Sequence, residues 1–173
     1  MVFGHEPCHQ THQISAGLSL LFQKGLEWDV QTPVYIVSAD IKAAFTNLGP
    51  AAVQDAMEYW QVPVSLTAAV LREFADITCI ACYDGVETEE FAYTRSTREG
   101  GKDSTWVWNV VVRWMLDPLL DGWRARGIGC LLPGLGYCCH VVWADNLYFF
   151  AHQQSQVVTC LEELSARLAV ARL

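Results

Sequence analysis

The chain has 173 residues, enough for one domain with a real core and little room for two. Hydrophobic residues make up 52% and charged residues 17%, which excludes a disordered tail, and a net charge of −8 leaves no basic face for gripping a polyanion unless the gripping parts lie outside these residues. Seven cysteines is an odd count, and Met1–Gln13 shows no basic region followed by an apolar one, so reduced thiols and an intracellular location are expected.

Thr11 can cap a helix carrying Ile14, Leu18, Leu21 and Phe22 at three- and four-residue spacing, ending near Lys24-Gly25. Asp29–Pro33 reads as a connector. The apolar run Val34–Val37 predicts a central, fully buried strand that ends in Ala39-Asp40. Desolvating an unpaired ion costs several kcal/mol, so Asp40 needs a partner, a metal or an open cleft. Gly49-Pro50 opens a second helix with Val53, Met57 and Trp60 on its buried face, stopped by Val62-Pro63. Ser65 caps a third, with Leu66, Val70 and Phe74 inward.

Cys79–Tyr83 and Phe91–Thr94 read as strands joined around Asp84-Gly85, with Glu87, Glu89 and Glu90 on a solvated loop. A long helical run follows over Thr105–Leu116, limited by Pro118, after which Leu119–Arg126 can add another turn. Gly127–Gly136 reads as loop. The apolar region Ile128–Phe150 is broken by Pro133, three glycines and Asp145, so it predicts no membrane span. Within it, Val141–Phe150 holds two strand-length apolar runs around a turn at Asp145-Asn146. Ser155 caps a final helix through Val157, Leu161, Leu164 and Leu168. Helices alternate irregularly with antiparallel hairpins, which predicts an α+β fold: an antiparallel sheet with helices packed on one face.

Two acids stand out. Asp40 ends one apolar strand and Asp145 sits at the turn between two others, so a shared sheet would bring both carboxylates to one edge. Carboxylates with oxygen-only neighbours suit Mg²⁺, which completes its shell with phosphate oxygens. Two such ions about 3.5–4 Å apart clamp an in-line phosphoryl transfer.

At these residues the chain resembles a known family. SADIKAAF (Ser38–Phe45) is similar to the first catalytic motif of reverse transcriptases of the non-LTR retrotransposon and group II intron type. In TREGGKDSTWVWN (Thr97–Asn109), Arg98, Gly100, Ser104, Trp108 and Asn109 fall in register with a second motif, and Asp117-Pro118-Leu119-Leu120 also fits. VVWADNLYFF (Val141–Phe150) resembles the Tyr-Ala-Asp-Asp hairpin, and GHEPCHQT (Gly4–Thr11) a weaker fingers motif. The resemblance covers nearly the whole chain. It implies one partial domain of a right-hand polymerase, with a fingers-like segment over residues 1–33, palm over 34–173, and no thumb.

The resemblance also implies roles. Asp40 and Asp145, with the backbone carbonyl of Ile41, would hold two Mg²⁺ ions, and Asn146 stands in the catalytic hairpin. Phe45 would pack under the incoming sugar and exclude a 2′-hydroxyl. Gly100 would let the backbone approach the template or nascent pair, Arg98 would contact phosphate, and Lys42 would lie near the triphosphate. An RNA template, a DNA primer and deoxynucleoside triphosphates are the implied partners, with no membrane. The chain departs from the pattern at Asn146, where a second acid is usual, at Trp143 and Glu99, and at Glu6 and His9, where arginines are common.

Two other readings stand beside RNA-directed DNA polymerisation: an inactive palm remnant serving as a binding or structural module, and a different templated polymerase. A zinc reading of His5, Cys8, His9 and His12 with Cys79 and Cys82 is set aside, because residues three apart on a strand point to opposite faces. Trp106, Trp108 and Trp114 are expected in the core, Trp123 at an exposed interface, and His140 and His152 partly buried or at the surface.

Overall fold

A computed structural model describes residues 2–3, 11–27, 33–75, 77–92, 102–132 and 136–173. In chain order its elements are β1 (Val2–Phe3), α1 (Thr11–Glu27), β2 (Tyr35–Asp40), α2 (Ala44–Asn47), α3 (Pro50–Tyr59) and α4 (Val64–Arg72). Four two-residue strands follow, β3 (Thr78–Cys79), β4 (Cys82–Tyr83), β5 (Val86–Glu87) and β6 (Phe91–Ala92), and then the long helix α5 (Lys102–Ala125). The chain closes with β7 (Cys130–Leu132), β8 (Gly136–Cys138), β9 (His140–Trp143), β10 (Asn146–Ala151) and α6 (Gln154–Ala171). The result is the expected mixture of helix and antiparallel sheet. It divides into two compact units, Met1–Lys42 with Met115–Ala171, and Ala43–Trp114 with Arg172–Leu173.

The first unit is built on a four-stranded sheet of order β1-β9-β10-β2, antiparallel except where β1 runs parallel to β9. β9 and β10 are its interior strands, and the alternation along β10 explains the layers. Leu147 and Phe149 point to one side, where Phe149 meets the Trp123 ring edge-on, with centroids 5.6 Å apart. Phe150 points to the other, in a cluster with Leu21 of α1 and Cys130, flanked by Ile36 and Val141. α6 packs on β10 and β2, burying Val157, Cys160 and Leu164 at helical spacing.

β2 departs from expectation. Among the described residues it is an edge strand, and its side chains are at best half-buried, so Val34–Val37 does not form a fully buried central strand. One side of β2 pairs with β10 over six residues, and apolar residues there pack only from the sheet faces. α1 runs past Gly25 to Glu27 and leaves Phe22 exposed. α5 is continuous through Pro118, which therefore does not limit it. Pro118 has no N–H for the carbonyl four residues back, but Met115, Leu116 and Trp123 are buried on either side of the gap and hold the helix. The segment expected to be loop after Gly127 contains the β7–β8 pair, with Cys130 opposite Cys138.

Trp123 is fully buried rather than an exposed interface residue. Its indole Nε1–H donates to Glu163 Oε2 at 2.7 Å, and Arg126 grips the same carboxylate through two bonds of 2.8 and 2.7 Å. His140 is buried too, at 7% exposure.

The second unit follows from apolar helix faces. Gly49 precedes Pro50 at the first helical position, and Ala52, Val53, Ala56 and Met57 form the buried stripe of α3. Trp60, expected on that face, is instead the C-cap residue and is 39% exposed. Its Nε1–H donates to the Val110 carbonyl at 3.2 Å, and the Arg113 guanidinium lies 5.8 Å from its ring centroid. α4 is capped by Pro63, not Ser65, and its Leu66 is exposed, leaving Thr67 as its buried residue. On α5, Trp108 and Trp114 are buried as expected, whereas Trp106 is 45% exposed. β4 and β5 close over Asp84-Gly85, both at positive φ, as a two-residue hairpin turn demands. The ribbon is interrupted at Ile80-Ala81 and resumes as β3–β6. It stands in solvent, with Tyr83 87% and Val86 72% exposed.

Candidate functional site

The site forms where β2 ends and the β9–β10 hairpin turns. β10 pairs with β2 in the register Asn146↔Asp40, Tyr148↔Ser38 and Phe150↔Ile36, and partners directly opposite point to the same face. Asp40 and Asn146 therefore share a face at the terminal rung of the sheet. β9 pairs with β10 through Trp143↔Asn146 and Val142↔Leu147.

The turn is thus Ala144-Asp145, not Asp145-Asn146. The cause is the core: Val142, Leu147 and Phe149 are buried on one face, and their burial fixes a register in which only Ala144 and Asp145 remain for the loop. A two-residue hairpin loop needs a positive φ at its first position, so Ala144 adopts φ 54°, a conformation alanine disfavours.

This turn is tied to the strand end. The Ile41 N–H donates to the Asp145 backbone carbonyl at 3.2 Å, so the two segments carrying the acids are joined main chain to main chain. Asn146 Nδ2 donates to Asp145 Oδ1 at 3.1 Å. Asp40 is exposed and Asp145 half-buried, which meets the solvation requirement of both charges without a buried ion pair. The Ile41 side chain is buried at 6% exposure, anchoring the backbone that runs beneath the site. Asp40, Ile41, Asp145 and Asn146 are therefore brought together, with the exposed Lys42 next in sequence.

Phe45 belongs to the second unit, on α2, and is half-buried. Its ring packs on Trp108 with centroids 5.6 Å apart and planes tilted by 42°. Two of the sequence motifs thus meet through their aromatic residues, a contact that no spacing rule foretells. Arg98 and Gly100 lie outside the described residues, as do His5, Cys8 and His9. Of the same motif, Ser104 and Trp108 are buried on α5 and Asn109 is half-buried.

The donors at the site are all oxygen: two carboxylates and the backbone of Ile41. Among the described residues no group of three or more His, Cys, Asp or Glu side chains is placed to hold a metal ion. An ion here would draw at most two carboxylates from the protein and take its remaining ligands from water or phosphate. That is the coordination a hard divalent cation such as Mg²⁺ accepts, and it does not suit zinc. Among the described residues, no helix is long and apolar enough to cross a membrane.

Comparison with known proteins bears on the family and the fold. The model of the family described as reverse transcriptase (RNA-dependent DNA polymerase) matches residues 2–173. Among solved structures, the chain is similar to apo telomerase from Candida tropicalis truncated from its C-terminal domain, with a TM-score of 0.61 and 12% identity. The match covers 91% of this chain and 32% of that one, and at such identity the likeness is one of fold. No curated protein matches the chain.

Proposed function

Because the chain belongs to the reverse transcriptase (RNA-dependent DNA polymerase) family, we propose that it carries the nucleotidyl-transfer centre of a retroelement-type protein. Its reaction is RNA-templated addition of deoxynucleotides to a primer 3′-hydroxyl. Residues 34–173 are the palm, and residues 1–33 are the rear of the fingers. The motif pattern favours the non-LTR retrotransposon and group II intron type. One observation carries the reading: the rung Asp40↔Asn146, locked by the Ile41 N–H to Asp145 carbonyl bond, joins the two acid-bearing segments at one end of the sheet.

In this reading Asp40, Asp145 and the Ile41 carbonyl hold two Mg²⁺ ions, which when bound neutralise phosphate charge and lower the pKa of the primer hydroxyl. Asn146, whose Nδ2 donates a hydrogen bond to Asp145 Oδ1, orients that carboxylate while removing one formal charge from the hairpin. Phe45, stiffened by its contact with Trp108, presents a ring that excludes a 2′-hydroxyl sterically. Lys42 and Arg98 meet phosphates, and Gly100 lets the backbone approach the nascent pair.

A second reading has an observation of its own. Asn146 replaces an acid and spends its amide on Asp145, as expected of a palm remnant kept as a binding or structural module. Primer extension on an RNA template, with Mg²⁺ or Mn²⁺ and the full chain, separates the two. The polymerase reading expects deoxynucleotide-dependent product that disappears in Asp40→Ala and Asp145→Ala. Folded protein giving no product with either ion leaves the remnant reading, and product surviving Asp145→Ala overturns the site.

A further inference from the structure

We propose that Cys130 and Cys138 form a reversible redox site, a cross-strand dithiol that a hydroperoxide closes into a disulfide between β7 and β8. The two strands are antiparallel, and Cys130 and Cys138 are direct partners on one rung. Residues opposite each other in an antiparallel pair have Cα atoms about 4.5 or 5.5 Å apart and side chains on the same face. Bridged cysteines have Cα atoms about 4.4–6.8 Å apart, so the rung already lies within the span that a disulfide needs.

Packing brings the same two residues together. Cys130 belongs to the buried cluster with Leu21 and Phe150, and Cys138 packs against that cluster. The backbones approach closely beside the rung, where a Cβ on Gly129 would lie 2.5 Å from the Cys138 carbonyl oxygen. Both cysteines are free thiols. Among the described residues no other rung carries two, since Cys79 is opposite Phe91 and Cys82 is opposite Glu87.

Access assigns the roles. Cys130 has no solvent exposure, and burial pushes its thiol up to about 12, so it keeps its proton at neutral pH. Cys138 is half-buried and lines a cavity of about 210 Å³ with Arg124, Tyr137 and His140, where a small oxidant can meet its sulfur. In the reduced protein its S–H is directed to the His140 carbonyl at 3.8 Å, a weak bond that a turn of χ1 toward Cys130 gives up. Cys139 also reaches the cavity, but it lies between β8 and β9 and has no cysteine across a rung.

The reaction balances with a hydroperoxide as the two-electron oxidant. Cys138 loses its proton to solvent and its thiolate attacks the terminal peroxide oxygen. The O–O bond breaks, a sulfenic acid forms, and the leaving hydroxide or alkoxide takes up a proton. Cys130 then attacks the Cys138 sulfur, the S–O bond breaks, and water leaves with the Cys130 proton.

The test uses the folded, reduced full chain, hydrogen peroxide near stoichiometry, alkylation of the remaining thiols, and chymotryptic mapping by mass spectrometry without reduction. The expected result is one disulfide, Cys130–Cys138, with a mass lower by two hydrogen atoms, restored by dithiothreitol. Fragmentation between the adjacent Cys138 and Cys139 assigns the bridge in the unmodified sequence, so the outcome does not depend on any variant folding. Cys139→Ser should still form the bridge, whereas Cys130→Ser should accumulate a Cys138 sulfenic acid that dimedone traps. A bridge through Cys139 or Cys160, or oxidation confined to other thiols while Cys130 and Cys138 stay reduced, overturns the proposal.

Discussion

Replacing Glu163 by alanine removes the acceptor of the indole N–H of Trp123, a side chain with no solvent exposure. A buried donor left without a partner costs about 1–3 kcal/mol. Taking about 2 kcal/mol, and about 3 °C per kcal/mol for a chain of this size, the melting temperature should fall by roughly 6 °C. Glu163→Gln keeps a carbonyl oxygen for the indole and should lose less than half as much. Arg126→Ala removes only an exposed guanidinium and leaves the indole satisfied, so its effect should be the smallest of the three.

The pH dependence has a definite sign. The bond from Arg126, then that from Trp123, holds the Glu163 carboxyl below the usual carboxylate range. Its contribution is therefore fully present above the unfolded value of about 4.3, and is lost as pH falls through the depressed folded value. Glu163→Gln should flatten this acid limb. Thermal melts followed by far-UV circular dichroism between pH 3 and pH 7, a range of about 4 units that brackets the carboxylate value, provide the assay. Equal losses for Glu163→Gln and Glu163→Ala, or a larger loss for Arg126→Ala, would refute the reasoning.

Three further outcomes are expected. Gly129→Ala should destabilise by about 2–4 kcal/mol in urea titration, the upper range for single substitutions, because its Cβ would sit 2.5 Å from the Cys138 carbonyl oxygen at a φ of +117°. Ala144→Gly relieves the left-handed alanine at the hairpin tip and, after the entropy of glycine is counted, should gain up to about 1 kcal/mol without changing the sheet register. Asn146→Asp exchanges the side-chain hydrogen bond to Asp145 Oδ1 for like-charge repulsion, so the metal-free protein should melt lower, and added Mg²⁺ should recover the loss. A melting point in that variant indifferent to Mg²⁺ would count against an ion at this hairpin.

Much of this was legible in the residues. Alternation marked the hairpin at Val141–Phe150, and helical spacing marked α3 and α6, because burial of one face is written into local pattern. What local pattern does not carry is which elements become neighbours. Val34–Val37 has the composition of an interior strand, yet β2 lies at an edge, since strand order depends on pairing across more than a hundred residues. Trp123 follows a proline that ought to end a helix, and only the distant Glu163 reveals why its indole is buried. At the site, both acids could be named from strand ends, whereas the turn assignment was off by one residue because turn chemistry yielded to core register. The contact of Phe45 with Trp108 had no periodic signature at all.

The rung Asp40↔Asn146 means that the site is specified by counting as well as by chemistry. Side chains alternate along β2, so inserting or deleting one residue between Tyr35 and Ala39 would send Asp40 to the opposite face while leaving its identity intact. Substitutions in that stretch change packing by degrees; a change of length there is all or nothing. The strand behaves as a ruler of fixed parity, and any variant of this chain that keeps its acids but shifts that parity should fold as a similar sheet with its two carboxylates parted.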